Sequence, residues 1–279
     1  MIIDFHTHIF PAEICQRREE FFTAEPEFEL LYRSPKSRLI GDAEMVAAMD
    51  KEGIDKSVVF GFPWQSPDTC RKHNDYVLES VMRYPDRLIG FGCINPLSPG
   101  AGDEARRCLD SGMAGIGELA FYRSGLDDRA LDSLEPIMQL CRQRNLPVMI
   151  HVNEPLGHEY PGKSPNSLGQ IYALAKRFVR NTLVLAHWGG GIFLYMLLKK
   201  EVKETLANVF YDTAASPFVY YFDIFPLAVR LAGIEKVLFG SDYPLISPST
   251  YFSELHRTGL TRDQRRRIQG LNAKKLLGL

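Results

Sequence analysis

Short apolar runs recur along the chain, separated by longer stretches with apolar residues at helical spacing. Eight runs read as strands: Ile2–Phe5, Lys56–Gly61, Arg87–Cys93, Ala114–Leu119, Pro147–His151, Thr182–His187, Asn208–Asp212 and Lys236–Asp242. They are apolar almost throughout, not alternating, as parallel strands covered on both faces should be. The stretches between them carry helical stripes such as Val77, Leu78, Val81 and Met82, or Leu134, Ile137, Met138 and Cys141. Asp42 opens one helix and Gly53 ends it; Pro85 stops another. Thr261-x-x-Gln264 is a capping box for the last helix. The connection Ile9–Gly41 is too apolar for a disordered linker and too broken by Pro11, Pro26 and Pro35 for one helix. Long connections of this kind are often lids or binding loops.

Eight strand–helix units in 279 residues predict a (β/α)8 TIM barrel, which takes about 250 residues. No composition shift marks a second domain, so residues 1–279 are read as one α/β domain with an extended loop after the first strand. An open doubly wound sheet would place a glycine-rich phosphate turn after strand one. His6 and His8 stand there instead.

Composition narrows the partners. With 45% hydrophobic and 24% charged residues the chain is an ordinary globular one. A net charge of -1 gives no electrostatic case for nucleic acid or an anionic membrane surface. The run Arg262, Arg265, Arg266, Arg267 is read as a solvated helix face. Five cysteines, without Cys-x-x-Cys or a signal peptide, predict reduced thiols and a cytoplasmic location. Thr182–Leu198 lacks formal charge but falls short of the roughly 18 apolar residues of a membrane span. Its Gly189-Gly190-Gly191 predicts a strand, a glycine turn and a buried helix.

The chemistry lies at the strand ends. Barrel active sites form at the C-terminal rim. Strand one ends in His6 and His8, strand four in Glu118, strand five in His151, strand six in His187 and strand eight in Asp242. Residues i and i+2 of a strand share a face, and two neutral imidazoles suit a divalent transition metal. Each residue alone has a plainer reading: a buried core histidine, a surface acid, a cap for Tyr243-Pro244. Four of the seven histidines at one rim together predict a metal site. His73 and His256 are assigned to the surface; His158, in the loop after strand five, is read as solvated, with a substrate contact as the lesser alternative.

The whole chain resembles the amidohydrolase superfamily, in its amidohydrolase-related branch. His6-Thr7-His8 resembles the first metal pair, Met49-Asp50-x-x-Gly53-Ile54-Asp55-Lys56 the junction before strand two, and Gly240-Ser241-Asp242-Tyr243-Pro244 the last-strand motif. Asn272-Ala273-x-Lys275-Leu276-Leu277-Gly278-Leu279 is similar to the closing helix. The resemblance implies one or two metal ions, usually zinc, with other divalent transition metals admissible. His6, His8, His151 and Asp242 would hold the first ion. His187 is then a second-metal ligand or polarises a substrate carbonyl. Glu118 either bridges two ions or orients a histidine.

On this basis we expect a metal-dependent hydrolase cleaving an ester, lactone or amide bond of a small carboxylated molecule. Asp242 would shuttle the proton of metal-activated water and His187 would stabilise the oxyanion. Asn153, Glu154 and Trp188 follow ligand strands and are expected to line the pocket. Arg33, Arg38, Arg123 and Lys163 are candidates to hold a carboxylate. The runner-up is a non-oxidative decarboxylase or hydratase of a small unsaturated or aromatic acid, because the same branch contains such lyases. A barrel that binds metal or ligand without catalysis is the third class. Phe218, Tyr220, Tyr221, Phe222 and Phe225 read mostly as core and leave room for a homodimer contact.

Overall fold

The computed structural model describes residues 1–279. The strands are β1 (Ile3–His8), β2 (Lys56–Phe60), β3 (Leu88–Gly92), β4 (Gly115–Leu119), β5 (Val148–Ile150), β6 (Leu183–Leu185), β7 (Val209–Asp212) and β8 (Val237–Leu238). They form one eight-stranded sheet in sequential order, every adjacent pair parallel. β1 and the β8 segment close the ring. The Phe5 amide donates to the Phe239 carbonyl at 2.7 Å, Asp242 to His6 at 2.9 Å and His8 to Tyr243 at 2.9 Å. The architecture is the (β/α)8 TIM barrel expected. β1 runs on through His8 because its last residues pair with Val59 and Phe60 of β2.

Two apolar layers hold the barrel. Phe5, Phe60, Phe91, Met149, Val184 and Leu238 belong to one buried cluster. Residues of strands so far apart in the ring meet only through the barrel interior. A larger cluster joins the outer strand faces to the helices, through residues such as Val77, Leu134, Ile137 and Leu174. Cys70, Cys93, Cys108 and Cys141 are free and buried, and Cys15 is free and half-buried. No helix is long and apolar enough to cross a membrane.

The first connection folds into three short helices, Ala12–Gln16, Glu19–Phe22 and Pro26–Tyr32. Phe28 is fully buried, with ring centroids 5.4 Å from Phe62 and 4.6 Å from Trp64. The Glu25 carboxylate accepts from the Gln65 and Ser66 amides, each at 2.8 Å. These contacts anchor the middle of the segment to the loop after β2.

Two local expectations are corrected. His73 is buried, not at the surface. It accepts from the Trp64 indole at 2.8 Å and donates Nε2–H to the Ile9 carbonyl at 2.7 Å. The helix expected after the glycine turn is a short 3-10 helix ending at Leu197, and only its first residues, Ile192 and Phe193, are buried. Five consecutive residues, His187 to Gly191, have φ between 52° and 81°. A left-handed run cannot propagate a right-handed helix. The chain beyond it turns outward, leaving Leu197 71% and Leu198 69% exposed. Of the later aromatics, Phe225 is core, whereas Phe218 and Tyr221 are exposed.

Candidate metal centre

The rim brings the strand-end residues together. His6 Nε2 lies 3.7 Å from Glu118 and 3.6 Å from Asp242; His8 Nε2 lies 3.4 Å from Asp242. His151 Nδ1 is 3.0 Å from Glu118, and His187 Nε2 is 3.5 Å from the same oxygen. Three overlapping trios offer ligand atoms within 4.8 Å of one another: His6, His8, Glu118; His6, His187, Asp242; and Glu118, His151, His187.

The hydrogen bonds on the outer side of each ring decide what faces inward. A carbonyl or carboxylate oxygen only accepts, so the nitrogen beside it carries the proton. His8 Nδ1 meets the Gly61 carbonyl at 3.1 Å, His187 Nδ1 the Ala214 carbonyl at 3.0 Å, and His151 Nε2 the Gly162 carbonyl at 2.9 Å. His6 Nδ1 meets the Asp212 carboxylate at 2.8 Å. Each ring, when neutral, thus turns the lone pair of its other nitrogen into the cluster; at His151 that nitrogen faces the Glu118 carboxylate at 3.0 Å, an arrangement that only a proton or a cation between them satisfies. His151 Nδ1 and His187 Nε2 face each other at 3.2 Å, where two lone pairs would repel. His6 Nε2 is buried without a hydrogen-bond partner. Inward lone pairs, an orphaned buried nitrogen and two carboxylates fit a divalent cation.

The electrostatics point the same way. Burial alone would push the His6 imidazole down, but Glu118, Asp212 and Asp242 lift it to about 10. Burial likewise opposes charge on His187, yet Glu118 raises it to about 9. Burial would raise Glu118, but His151 and His6 hold it well below the usual carboxylate range. Asp242 is held down to about 2 by His8, His6 and His187 against its desolvation. The cluster calls for positive charge, from protons or from a metal.

Backbone geometry sets the rim. His187 and Asp242 are left-handed, with φ of 52° and 61°. Non-glycine residues in that region cost about 1 kcal/mol, a strain that clusters at functional sites. Gly240 lets β8 pass against β1, since a Cβ there would meet His6 Cβ at 2.7 Å.

A cavity of about 700 Å³ opens onto the cluster, reaching His8, Glu118, His151, His187 and Asp242. Tyr32, Phe62, Tyr122, Arg38 and Phe218 are among its other lining residues. Phe62 and Tyr122 lie parallel, 6.2 Å apart at 7°. Of the expected pocket residues, Glu154 lines the cavity, but Trp188 and Asn153 are elsewhere. Trp188 is fully buried, donates its indole N–H to Ser216 at 2.9 Å and packs on Phe225. Asn153 accepts from the Ser164 amide at 2.8 Å. Arg38 reaches the cavity over the Tyr243 ring; Arg33 pairs with Glu29, and Arg123 is exposed away from the lining.

Sequence reasoning missed Asp212 and Tyr122. Asp212 ends β7, so the strand-end rule that found the other residues applies to it equally. Tyr122 follows β4 by three positions on the same rim.

Fold and site together define a (β/α)8 barrel with a histidine–carboxylate cluster suited to a metal on its C-terminal rim. The Amidohydrolase family profile matches residues 3–279, and the chain belongs to that family. It is similar to the 2-amino-3-carboxymuconate-6-semialdehyde decarboxylase of Dictyostelium discoideum, at 24% identity, with 99% of this chain and 93% of that protein covered. Among solved structures it is similar to the 5-carboxyvanillate decarboxylase of Novosphingobium aromaticivorans, complexed with manganese and 4-hydroxy-3-methoxy-5-nitrobenzoic acid. The TM-score is 0.79 at 17% identity, over 100% of this chain and 96% of that one. A dihydroxybenzoic acid decarboxylase of Polaromonas, with bound manganese and 2-nitroresorcinol, gives a TM-score of 0.72 at 18% identity, over 100% and 97%.

These findings correct the expected reaction. The relatives are decarboxylases, so hydrolysis of an ester, lactone or amide is set aside, and with it the hydrolytic proton shuttle of Asp242. The family's name records descent, not the bond broken. Glu118, open in the sequence between bridging two ions and orienting a histidine, does not decide between hydrolysis and decarboxylation. A buried carboxylate 3.0 Å from His151 and 3.5 Å from His187 serves equally to orient imidazoles or to keep one charged.

Proposed function

We propose that the protein is a metal-dependent, non-oxidative decarboxylase of a small unsaturated or aromatic carboxylic acid. The observation that carries this is the decarboxylase relative matched over 99% of the chain. The site supplies a matching chemistry. His6, His8, His151 and Asp242 would hold the ion, with Glu118 within reach. When bound, the ion supplies the positive charge that holds and orients an anionic substrate. Zinc suits the histidine-rich donors, and manganese, present in the two solved structures, suits a set with carboxylates. Elemental analysis of protein purified without chelator decides between them.

The remaining steps belong to side chains. Phe62, Tyr122 and Tyr32 form an aromatic wall that fits a planar acid and excludes water. The bond from substrate carbon to its carboxylate breaks, carbon dioxide leaves, and the electron pair stays on carbon. That carbon takes one proton. His187 is the donor: its Nδ1 is pinned by Ala214, its Nε2 end reaches the cavity, and Glu118 beside it stabilises the imidazolium. Residues 1–279 act as one domain in this reading.

The test is carbon dioxide release. Metal-loaded protein is incubated with a panel of small dienoic and hydroxylated aromatic acids. In deuterated water, one deuteron is expected at the carbon that carried the lost carboxylate. No release from any acid, with metal bound, overturns the proposal.

A further inference from the structure

Residues 151–167, between β5 and the Leu168–Arg177 helix, contain no regular secondary structure. Yet Leu156, Gly157, His158, Tyr160 and Gly162 form a wall of the cavity. A loop of this length needs something to hold it. Lys163 is placed to do so. Its side chain is only 5% exposed. An ammonium has three N–H donors. Its Nζ lies 3.2, 3.3 and 3.2 Å from the carbonyls of Leu156, Gly157 and His158. Donors and carbonyls match in number, so none is left for a substrate carboxylate, the role first considered for this residue. Glu154 sets the ammonium in place, with one oxygen 3.7 Å away and the other accepting from the Tyr160 hydroxyl at 2.9 Å. The Tyr160 ring lies 5.8 Å from Nζ.

The adjacent residue gives this clasp its consequence. The Gly162 carbonyl accepts the Nε2–H of His151 at 2.9 Å. That bond is what turns His151 Nδ1 toward Glu118 and His187.

We infer that Lys163 is a positioning residue: by gathering three loop carbonyls it holds Gly162 against His151 and so selects the His151 tautomer that faces the metal site. The inference rests on the proposed role of His151 in holding the ion. Ligand-orienting contacts of this kind are typically worth about 10–100-fold in metal affinity.

The test uses Lys163→Met, which keeps the stem and removes the donors. Three measurements apply. Hydrogen exchange of amides 152–165 is expected to accelerate at least about tenfold, because the carbonyls lose their common partner. Manganese titration of chelator-stripped protein is expected to show a Kd weaker by about tenfold. The ¹⁵N imidazole spectrum of His151 is expected to change from one tautomer to a mixture. Glu154→Gln, which leaves the carbonyl contacts in place, is expected to keep the single tautomer. Should Lys163→Met fail to fold, Lys163→Gln replaces it. Wild-type loop protection with a single His151 tautomer in the Lys163 variant overturns the inference. Neither readout requires turnover, so a parent protein that releases no carbon dioxide defeats the decarboxylase proposal and leaves this test standing.

Discussion

Asp212 is fully buried and spends its carboxylate on N–H groups: Oδ2 on His6 Nδ1 at 2.8 Å, and Oδ1 on the amides of His187 and Ala214 at 2.9 and 3.0 Å. One side chain thus sets a ring tautomer on β1 and anchors the turn after β6. Asp212→Asn would keep an oxygen for the two amides and place an NH2 group against His6. Donor would then face donor, and His6 would have to move its proton to Nε2, pointing N–H into the site. We expect metal affinity to fall about 10–100-fold while the thermal unfolding of metal-stripped protein changes little. Titration of manganese into stripped protein measures the first, calorimetry the second; unchanged affinity would refute the orienting role. His187→Asn probes a different step. Loss of a general acid typically costs about 10²–10⁴ in rate. The expected result is that loss in kcat for carbon dioxide release with metal content near that of the parent. A variant as fast as the parent would remove His187 from the chemistry.

At the scale of elements, the Pro67–Arg83 helix is tied to the first connection through His73. The buried ring bridges Trp64 and the Ile9 carbonyl, and a Cβ on Gly61 would meet it at 2.6 Å. Burial depresses its pKa from 6.5 to about 4. Above 6.5 both folded and unfolded states hold it neutral. Between 6.5 and 4 only the unfolded state gains the proton, so stability falls as the pH falls. Across that window the loss is about 3 kcal/mol. His73→Gln should flatten this part of the urea-midpoint profile, whatever its effect at neutral pH. A parallel profile for parent and variant would show that His73 is not the group responsible. His73 also shows what a sequence leaves out. All eight strands were legible because apolar runs repeat with the barrel's period, and their ends located the site's histidines and acids. Which helical face a lone histidine occupies depends on a partner loop far along the chain. Trp188 failed for a related reason: it adjoins His187, but the left-handed run sends it into the core. The reaction was least legible, since the same imidazoles and carboxylates serve hydrolysis and decarboxylation alike.

On the scale of the whole molecule, the cluster closes the ring. His6 and His8 come from the first strand, Glu118 and His151 from the middle, His187 from the turn after β6 and Asp242 from beside the first strand again. An ion bound by residues spread over most of the chain binds only when the barrel is closed. It therefore stabilises the folded state by mass action, by about 2.7 kcal/mol at a hundredfold excess over Kd. For a chain of 279 residues, whose unfolding entropy is about 0.6 kcal/mol per degree, that corresponds to a Tm change of roughly 5 °C. Protons compete for the same nitrogens, so the cluster is not left bare when the ion goes; it takes up charge that holds it together less directionally. We expect chelation to lower Tm by that amount without abolishing cooperative unfolding, because the two apolar layers remain. Adding back manganese or zinc separately should restore the higher Tm, and the ion that restores both Tm and carbon dioxide release is the working one. A Tm indifferent to chelation and to either ion would mean that the rim cluster does not hold a metal, and the proposed activity would fall with it.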